Sequence, residues 1–388
     1  MHKMKIGLVL SHVPGISETF LVSKIIGLQK AGHKVILFAN GELETKICEK
    51  ISHPTSSNNK FIMFILASWA FIKLGLMCPF VIIRFLRSEV NDGKTFNQSL
   101  KNAYFNNHIL SYQLDWIHFG FITCAIDREN LAHAIKAKMG VSLRGYDICI
   151  YPLKNPLCYS NIWGKINKVH AISNDLIDAG VKMGFSKQNS FKIIKPAINV
   201  KVFEKMKKNH KKVGEIKFLT IARLHWKKGL EDTIQALSII RDKDISFCYD
   251  IVGDGPELER LVFVAHDLGL NKNINFIGSI PHYNTISYYR SSDIYLQYSL
   301  QEGYCNATIE AQSMGLITIV SNAEGLKENV GNANLVVERR NPKLLADKII
   351  NVIENWSFYS KLVVDSRKRI AAENNIDYQN REFLEFYD

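Results

Sequence analysis

The sequence predicts an α/β protein of two domains, each built around a doubly wound parallel sheet. Apolar segments of strand length alternate with longer segments of helical periodicity, as is typical of parallel strands joined by crossover helices. The same alternation begins again after residue 215, and the 388 residues suffice for two domains. Hydrophobic residues form 47% of the chain, which is enough to fill two cores.

The N-terminal half begins as a strand–helix–strand unit of the Rossmann type. The loop of its first crossover, residues 11–17, contains Gly15 but lacks the G-x-G-x-x-G pattern of dinucleotide-binding proteins. Strands are predicted at residues 6–10, 35–39, 114–119 and 140–143, from residue 168 and at residues 192–195, and helices at residues 18–31 and 130–138.

Residues 61–83 form an apolar segment with a single charge, Lys73, and have the length of a membrane-spanning helix. Gly75 and Pro79 interrupt the segment, and a span here would divide a Rossmann-type domain across the bilayer. We therefore favour an interfacial element over residues 61–87, with its apolar face in lipid and its cations among the headgroups. A pair of core helices and a true span remain alternatives. The polar residues 41–60 predict a loop.

The C-terminal half places polar residues directly after successive strands. Because open α/β sheets bind ligands at the carboxyl ends of their strands, these loops are the candidate site. Strands are predicted at residues 217–221, 247–252, 275–280, 294–298 and 316–320, and helices from residue 230, over residues 307–314 and over residues 366–388.

Two cations and two carboxylates lie in or beside these loops. Arg223 and Lys228 follow the first strand, where they can clamp a diphosphate and stabilise the charge that develops as it leaves. Glu302 lies in the loop after residues 294–298, and Glu310 lies on the next helix, so both can accept hydrogen bonds from sugar hydroxyls. The N-terminus of that helix offers free N–H groups to a phosphate. Two solvated surface acids are the alternative.

The segment from Glu302 to Glu310 resembles the E-x7-E segment of family 4 retaining glycosyltransferases, in particular the bacterial exopolysaccharide and colanic-acid type. Residues 223–229 resemble the family's Arg-x4-Lys-Gly motif, residues 253–256 its Gly-Asp-Gly-Pro turn and residues 325–330 its Gly-x-x-Glu-x-Val turn. The resemblance implies the GT-B fold, in which two Rossmann-like domains face each other across a cleft. It implies an acceptor domain at residues 1–199, a donor domain at residues 200–365 that opens with a linker at residues 204–215, and a C-terminal helix at residues 366–388 that crosses back.

The resemblance also implies transfer of a sugar from a nucleotide-diphosphate donor to an acceptor hydroxyl, with retention at the anomeric carbon and with no metal or other cofactor. The candidate catalytic residues are Glu302, Arg223, Lys228 and His118. The candidate donor-binding residues are Gly15, Arg144, Gly253, Asp254, Gly278, Ser279, Gly303, Tyr304, Cys305, Asn306, Ala307 and Glu310.

Arg144 departs from the family pattern. Many members have a His-Gly-x-Asp motif near the donor sugar, whereas this chain has Arg144-Gly-Tyr-Asp. An Arg is always charged and cannot transfer protons, so we expect an electrostatic role, with a surface turn as the alternative. His118 lies in a His-Phe-Gly sequence that also resembles the family, and a buried core histidine is its alternative interpretation.

Charge and cysteine content bear on partners and location. Residues 1–199 contain 24 Lys and Arg against 12 Asp and Glu, and the whole chain has a net charge of +12. With the apolar segment, this excess favours an anionic membrane surface and a saccharide acceptor that is linked to a lipid. No reader motif predicts nucleic acid as a partner. The seven Cys lack metal-site spacing and no secretion signal is recognised, so we expect a cytoplasmic protein bound peripherally at the inner face of the plasma membrane.

The predicted function is therefore hexosyl transfer in the synthesis of a cell-surface polysaccharide such as capsule, exopolysaccharide or O-antigen. One alternative is another enzyme of the same fold that acts on soluble phosphorylated sugars and does not need the apolar segment. The other alternative is a non-catalytic module that binds nucleotide sugars or nucleic acid.

Overall fold

The computed structural model describes residues 3–14, 19–41, 47–203 and 214–388. They form two compact units: unit 1 contains Met1–Ile194 and Asn380–Asp388, and unit 2 contains Lys195–Gln379. The boundaries thus differ from the predicted ones, because contacts within unit 2 join its two ends. Lys195 forms an ion pair with Glu373 at 2.7 Å, and the Asn374 side-chain amide donates to the Pro196 carbonyl at 2.8 Å. Most of the predicted linker lies outside the described residues.

The elements are numbered in chain order. The strands are β1 (Lys5–His12), β2 (Lys34–Asn40), β3 (Glu49–Ile51), β4 (Trp116–Phe119), β5 (Lys138–Leu143), β6 (Lys168–Ala171), β7 (Phe191–Ile193), β8 (Ile216–Ile221), β9 (Phe247–Val252), β10 (Ile274–Gly278), β11 (Ile294–Gln297), β12 (Ile317–Ser321) and β13 (Val336–Val337). The helices are α1 (Thr19–Lys30), α2 (Lys60–Met77), α3 (Pro79–Asn91), α4 (Phe96–Leu110), α5 (Leu131–Ile135), α6 (Gly145–Cys149), α7 (Tyr151–Lys154), α8 (Ser160–Trp163), α9 (Asn174–Lys182), α10 (Val200–Phe203), α11 (Leu230–Arg241), α12 (Leu258–Asp267), α13 (Thr285–Ser291), α14 (Asn306–Met314), α15 (Leu326–Val330), α16 (Pro342–Glu354), α17 (Trp356–Glu373) and α18 (Ile376–Tyr387).

Each unit contains one parallel sheet, as predicted. The sheet of unit 1 has the order β3-β2-β1-β4-β5-β6-β7, and the sheet of unit 2 has the order β10-β9-β8-β11-β12-β13. Their central strands are apolar and buried along most of their length, as expected for strands covered on both faces. The strand order reverses beside β1 in unit 1 and beside β8 in unit 2, and such switch points are where doubly wound sheets bind ligands.

The last helix returns to the first unit, as predicted. Phe383, Phe386 and Tyr387 of α18 belong to the same hydrophobic core as Ile6 of β1 and Trp116 of β4. The indole N–H of Trp116 also donates to the Tyr387 carbonyl at 2.9 Å. The predicted C-terminal helix is two helices, however, because α17 ends at Glu373 and α18 begins at Ile376.

The apolar segment forms a helix that unit 1 leaves uncovered. Asn59 caps α2 by accepting from the backbone N–H groups of Phe61 and Ile62, and Pro79 at the start of α3 ends the run. Trp69 is 70% exposed and Leu76 is 80% exposed, so the interpretation as core helices was wrong. In the described part of the chain, α2 is the one helix long and apolar enough to cross a membrane, judged by length and composition. The preceding loop prediction was also partly wrong, because it missed the short strand β3.

In contrast to α2, α3 is fixed firmly to unit 1 by a buried charged cluster. Glu89 of α3 is 0% exposed and forms an ion pair with Lys94 at 3.2 Å. The side-chain amides of Asn102 and Asn130 donate to its carboxylate at 2.6 and 2.7 Å. Loss of one partner would leave a buried charge uncompensated, so this cluster holds α3, and with it α2, in one position on unit 1.

Candidate functional site

Lys228 and Glu302 form an ion pair in unit 2. Lys228 ends a short 3-10 helix after β8, and Gly229 follows it with a φ of +60°. A Cβ on Gly229 would lie 2.1 Å from the Tyr298 carbonyl oxygen, so only glycine allows the loop after β8 to approach the loop after β11. The Leu300 N–H then donates to the Lys227 carbonyl at 2.7 Å. The structure thus brings together the predicted cation and the predicted carboxylate.

The electrostatics of the pair keep Lys228 protonated. Burial lowers the pKa of Lys228, but the neighbouring Glu302 carboxylate outweighs burial, and the pKa is raised above its ordinary value. Arg223 is exposed at the end of β8, and its charge lies close enough to oppose protonation of Lys228. An exposed second cation therefore lies near the Lys228–Glu302 ion pair, and the two cations together can hold an anionic group.

Two residues that sequence reasoning missed fix the loop that carries Glu302. Glu324 accepts from the Glu302 N–H at 3.3 Å, and Arg339 donates to Glu324 at 3.2 Å and to the Leu300 carbonyl at 2.5 Å. A Cβ on Gly325 would lie 1.7 Å from the Gly303 carbonyl oxygen, so the turn of residues 325–330 packs backbone to backbone against this loop. The signal was present in the Gly-x-x-Glu-x-Val turn, but its contact with Gly303 was not predictable.

The N-terminus of α14 lies directly after this loop. In the described part of the chain, the N–H groups of Asn306 and Ala307 have no hydrogen-bond acceptor, as expected for the first turn of a helix. The Tyr304 and Cys305 side chains point inward. The Tyr304 hydroxyl accepts from the Asn374 amide at 3.2 Å, and burial raises the pKa of the Cys305 thiol. These side chains hold the loop, so any contact with a phosphate here falls to the backbone.

Glu310 is only 6% exposed and is held by its own chain. The Tyr289 hydroxyl donates to one carboxylate oxygen at 2.9 Å, and His282 Nε2 lies 2.8 Å from the other. A carboxylate oxygen can accept more than one hydrogen bond, so both oxygens can still receive a ribose hydroxyl. The ribose contact stays a prediction.

The His282–Glu310 contact predicts a pH-dependent contribution to stability. The hydrogen bond to Glu310 raises the pKa of His282 above its ordinary value, so the folded state binds the proton more tightly than the unfolded state. The contribution is present below the unfolded-state pKa of about 6.5 and is lost as pH rises through the folded-state pKa. Because His282 is more than half exposed, we expect only a few tenths of a kcal/mol.

The measurement is the free energy of unfolding of the parent protein and of His282→Gln at about pH 5.5 and about pH 8. The difference between the two proteins should shrink at the higher pH. A difference that grows with pH would contradict the assignment.

The structure also joins the predicted turns after β9 and β10. The Gly253 N–H donates to the Gly278 carbonyl at 2.9 Å. Gly253 has a φ of +140°, and a Cβ there would lie 1.9 Å from the Ala222 carbonyl oxygen. Asp254 and Ser279 are exposed on these turns. Their contact with a donor stays a prediction.

His118 is not placed to act as a catalytic residue, and we correct that prediction. It is 0% exposed on β4, where the Tyr387 hydroxyl lies 2.9 Å from Nδ1 and the Ser142 hydroxyl lies 2.8 Å from Nε2. Lys24 of α1 lies 3.2 Å from Nε2, and burial lowers the pKa of this lysine well below its ordinary value. His118 therefore belongs to a buried polar chain that joins β4 to α1, β5 and α18.

Arg144 follows β5 and stacks on the ring of Phe20, with 4.2 Å from its guanidinium carbon to the ring centroid. The next acid, Asp147, was not singled out from the sequence. Burial raises the pKa of Asp147 to about 7, and the Thr123 hydroxyl donates to its carboxylate at 3.2 Å. Gly15 lies outside the described residues.

Comparison with known proteins finds a family model that matches most of unit 2. Residues 201–370 match the family model described as "Glycosyl transferases group 1". The match covers less than half of the chain and lies within unit 2, so this part of the chain is similar to glycosyl transferases group 1. The match includes Arg223, Lys228, Glu302 and Glu310, and therefore covers the ion pair and the acid on α14.

Individual relatives of this group 1 domain agree with the family match. The capsular polysaccharide biosynthesis glycosyltransferase CapM of Staphylococcus aureus is 28% identical over 162 residues, which are 41% of this chain and 42% of CapM. The N,N'-diacetylbacillosaminyl-diphospho-undecaprenol alpha-1,3-N-acetylgalactosaminyltransferase of Campylobacter jejuni is 26% identical over 180 residues, 44% of each chain. The chain spans less than half the length of these two curated relatives.

Solved structures extend the likeness to the whole chain. The crystal structure of Anabaena Alr3699/HepE in complex with UDP and glucose has a TM-score of 0.70 and 16% sequence identity, and the match covers 99% of both chains. At this identity the likeness concerns the fold alone. The GT-B fold predicted from the sequence is confirmed, with two parallel sheets of seven and six strands.

Proposed function

We propose that the protein is a retaining glycosyltransferase that transfers a hexose from a nucleotide-diphosphate donor, without a metal, to a saccharide acceptor. The observation that carries this proposal is the Lys228–Glu302 ion pair beside the free N–H groups of α14, within the group 1 domain. Cations and helix N-termini are the groups that stabilise a departing diphosphate.

In this reaction the bond between the anomeric carbon and the diphosphate breaks, the oxygen of an acceptor hydroxyl bonds to the same face of the sugar, and the proton of that hydroxyl passes to the departing diphosphate. Arg223, Lys228 and the first amides of α14 stabilise the charge that collects on the diphosphate. Glu302, the carboxylate of the ion pair, orients the sugar ring. Glu310 receives the ribose hydroxyls, positioned for this by Tyr289 and His282.

The relatives support the classes of donor and acceptor. HepE was solved with UDP and glucose, CapM is a capsular polysaccharide biosynthesis glycosyltransferase, and the Campylobacter enzyme is named for a diphospho-undecaprenol acceptor. We infer that this chain acts on a lipid-linked saccharide in the synthesis of a surface polysaccharide. A soluble phosphorylated sugar as acceptor is the second candidate.

The test is thermal stabilisation by UDP, GDP, ADP and CMP in the presence of a chelator. A ligand that binds only the folded state should stabilise the protein by about 2.7 kcal/mol at 100 times its Kd. We expect one nucleoside diphosphate to shift the melting temperature clearly and Arg223→Gln to reduce that shift. Equal shifts with and without chelator support a metal-free site, whereas no shift with any nucleotide contradicts the proposal.

We further propose that the protein lies on the cytoplasmic face of the plasma membrane through α2. The strand β3 precedes α2 and α3 follows it, and both are parts of unit 1. A span by α2 would place these two parts of one unit on opposite sides of the bilayer. If α2 instead lies parallel to the membrane surface, its exposed apolar face enters the lipid and unit 1 stays on one side of the bilayer. Lys73 can then reach the headgroups.

A further inference from the structure

Unit 1 contains a polar cavity of about 290 Å³ that has no assigned role in the proposed reaction. Lys101 and Gln98 of α4 line one wall, Arg128 lines another, and His53 lies where the chain leaves β3. His53 and Arg128 follow the carboxyl ends of β3 and β4, the edge at which parallel sheets bind ligands.

Arg128 is held at this cavity by hydrogen bonds to neutral groups, with the carboxylates of Asp127 and Glu129 nearby but not in ion-pair contact. Its Nε donates to Asn106 at 3.0 Å and its Nη1 donates to the Cys124 carbonyl at 3.0 Å. No carboxylate of residues 3–14, 19–41, 47–203 and 214–388 forms an ion pair with Arg128. The neighbouring Asp127 instead pairs with Lys94 at 3.6 Å. A half-buried guanidinium fixed by neutral partners is poised for an external anion.

Two histidines lie beside Arg128. The rings of His53 and His108 lie 5.2 Å apart. His53 lines the cavity, whereas His108 is 8% exposed and lies outside its lining. Burial, then the neighbouring His53 and Arg128, lower the pKa of His108 to about 3, so its ring adds no positive charge at neutral pH. A neutral His53 ring can donate one hydrogen bond to a ligand in the cavity.

We propose that this cavity binds a phosphate or diphosphate group of the sugar acceptor. The proposal refines the proposed function and rests on it, because only that function identifies the ligand as a sugar acceptor. The cavity is lined by two cations, Lys101 and Arg128, and by one acid, Asp127, whose nearest cation is Lys94 at 3.6 Å. Phosphate oxygens are strong acceptors that match such a set.

The position of the cavity agrees with an acceptor at a membrane surface. The wall helix α4 packs against α2, and the Tyr104 hydroxyl of α4 donates at 2.7 Å to the Thr55 carbonyl in the segment that leads from His53 to α2. A phosphate at headgroup level is therefore near the cavity when α2 lies in the membrane. A lipid diphosphate and a soluble sugar phosphate share this chemistry.

The test uses the full chain with inorganic pyrophosphate as the probe. Calorimetric titrations are made on Arg223→Gln, so that the donor clamp of unit 2 contributes less. We expect pyrophosphate to bind to the Arg223→Gln protein. Adding Lys101→Gln to it should weaken binding about threefold, and adding Arg128→Lys should weaken binding about tenfold. Lys182→Gln is the control, because Lys182 is an exposed lysine of unit 1 outside the cavity lining.

Equal affinity in all these proteins would overturn the proposal. Lys101 is exposed, so its variant remains informative even where Arg128→Lys fails to fold. The source of the phosphate is then distinguished with phosphatidylcholine vesicles that contain or lack farnesyl diphosphate, and with glucose 1-phosphate in solution. Lys101-dependent sedimentation with the farnesyl diphosphate vesicles indicates a lipid source, and Lys101-dependent binding of glucose 1-phosphate indicates a soluble one.

Failure of this proposal is separable from failure of the proposed function. Nucleoside diphosphate stabilisation depends on unit 2 and should be the same in Lys101→Gln and the parent protein. A parent protein that binds no nucleotide but binds pyrophosphate in a way that depends on Lys101 would contradict the proposed function and leave the anion cavity supported.

Discussion

Replacing Glu302 with Gln is expected to lower kcat by about 100- to 1,000-fold, the range found when one preorganised electrostatic contact is removed from an active site. The substitution keeps the size of the side chain but removes the charge that pairs with Lys228. Lys228 then loses the interaction that raises its pKa and that fixes its ammonium group. The single substitution therefore affects both the contact with the sugar and the position of the Lys228 ammonium group.

Donor binding should survive the same substitution. Arg223, Lys228 and the first amides of α14 all remain, and removal of a carboxylate beside two cations does not weaken their attraction for a diphosphate. The measurement therefore compares turnover with the Kd of the nucleoside diphosphate identified by thermal shift. A drop in kcat with an unchanged Kd separates an enzyme from a module that only binds nucleotide sugars.

Two variants control this experiment. Glu354→Gln removes an exposed carboxylate of α16 and should leave kcat unchanged. Glu324→Gln weakens the contacts that fix the Glu302 loop and should lower kcat by a smaller factor, because the Glu302 carboxylate itself remains. Full turnover in Glu302→Gln would rule out its assigned role, and simultaneous loss of turnover, nucleotide binding and thermal stability would reduce it to a structural residue.

The residues of unit 2 were predictable because their positions follow from local rules. Arg223 and Lys228 come directly after a strand, and Glu302 comes directly after the strand that pairs beside it, so the sheet brings them together. Their chemistry is visible in the same short segments. By contrast, Tyr289 and His282 reach Glu310 from 21 and 28 residues earlier, and only the packing of α13 reveals them.

His118 shows why a motif in unit 1 was misleading. The His-Phe-Gly sequence gives the residue type and its strand, but burial of the ring depends on Tyr387, which lies 269 residues away in the sequence. The return of α18 was predicted, whereas the side chains that it would cover were not. A sequence pattern locates the end of a strand more reliably than it decides which side chains remain accessible.

The sequence favoured an interfacial element at residues 61–83 over a pair of core helices and a true span, and packing removes the core helices. A core helix would show a buried face along its length, whereas Leu74 is the one fully buried residue of α2. Among the described residues, α4 and α3 pack against one side of α2, and the other side is exposed. The exposed face is the observation on which the membrane prediction rests.

Replacing Ile65, Trp69 and Ile72 together with Gln is expected to abolish binding to vesicles that contain anionic lipid. All three are exposed on one face of α2, and transfer of each apolar side chain from water contributes roughly 1.5–3 kcal/mol. Because each of the three is already partly covered in the protein, their loss corresponds to a decrease of at least about 100-fold in the partition coefficient. Sedimentation with vesicles at low and high salt measures it, and screening should weaken only the contribution of the cations.

The matched control replaces Leu153 and Val181, which are exposed apolar residues of unit 1 on α7 and α9. This control should sediment like the parent protein, and both variants should keep the parent's melting temperature, because none of the replaced side chains belongs to a core. The prediction fails when the parent protein does not sediment with anionic vesicles at low salt, or when the triple variant sediments equally well. Retained turnover on a soluble acceptor, together with lost sedimentation, would assign α2 to acceptor access and leave the chemistry to unit 2.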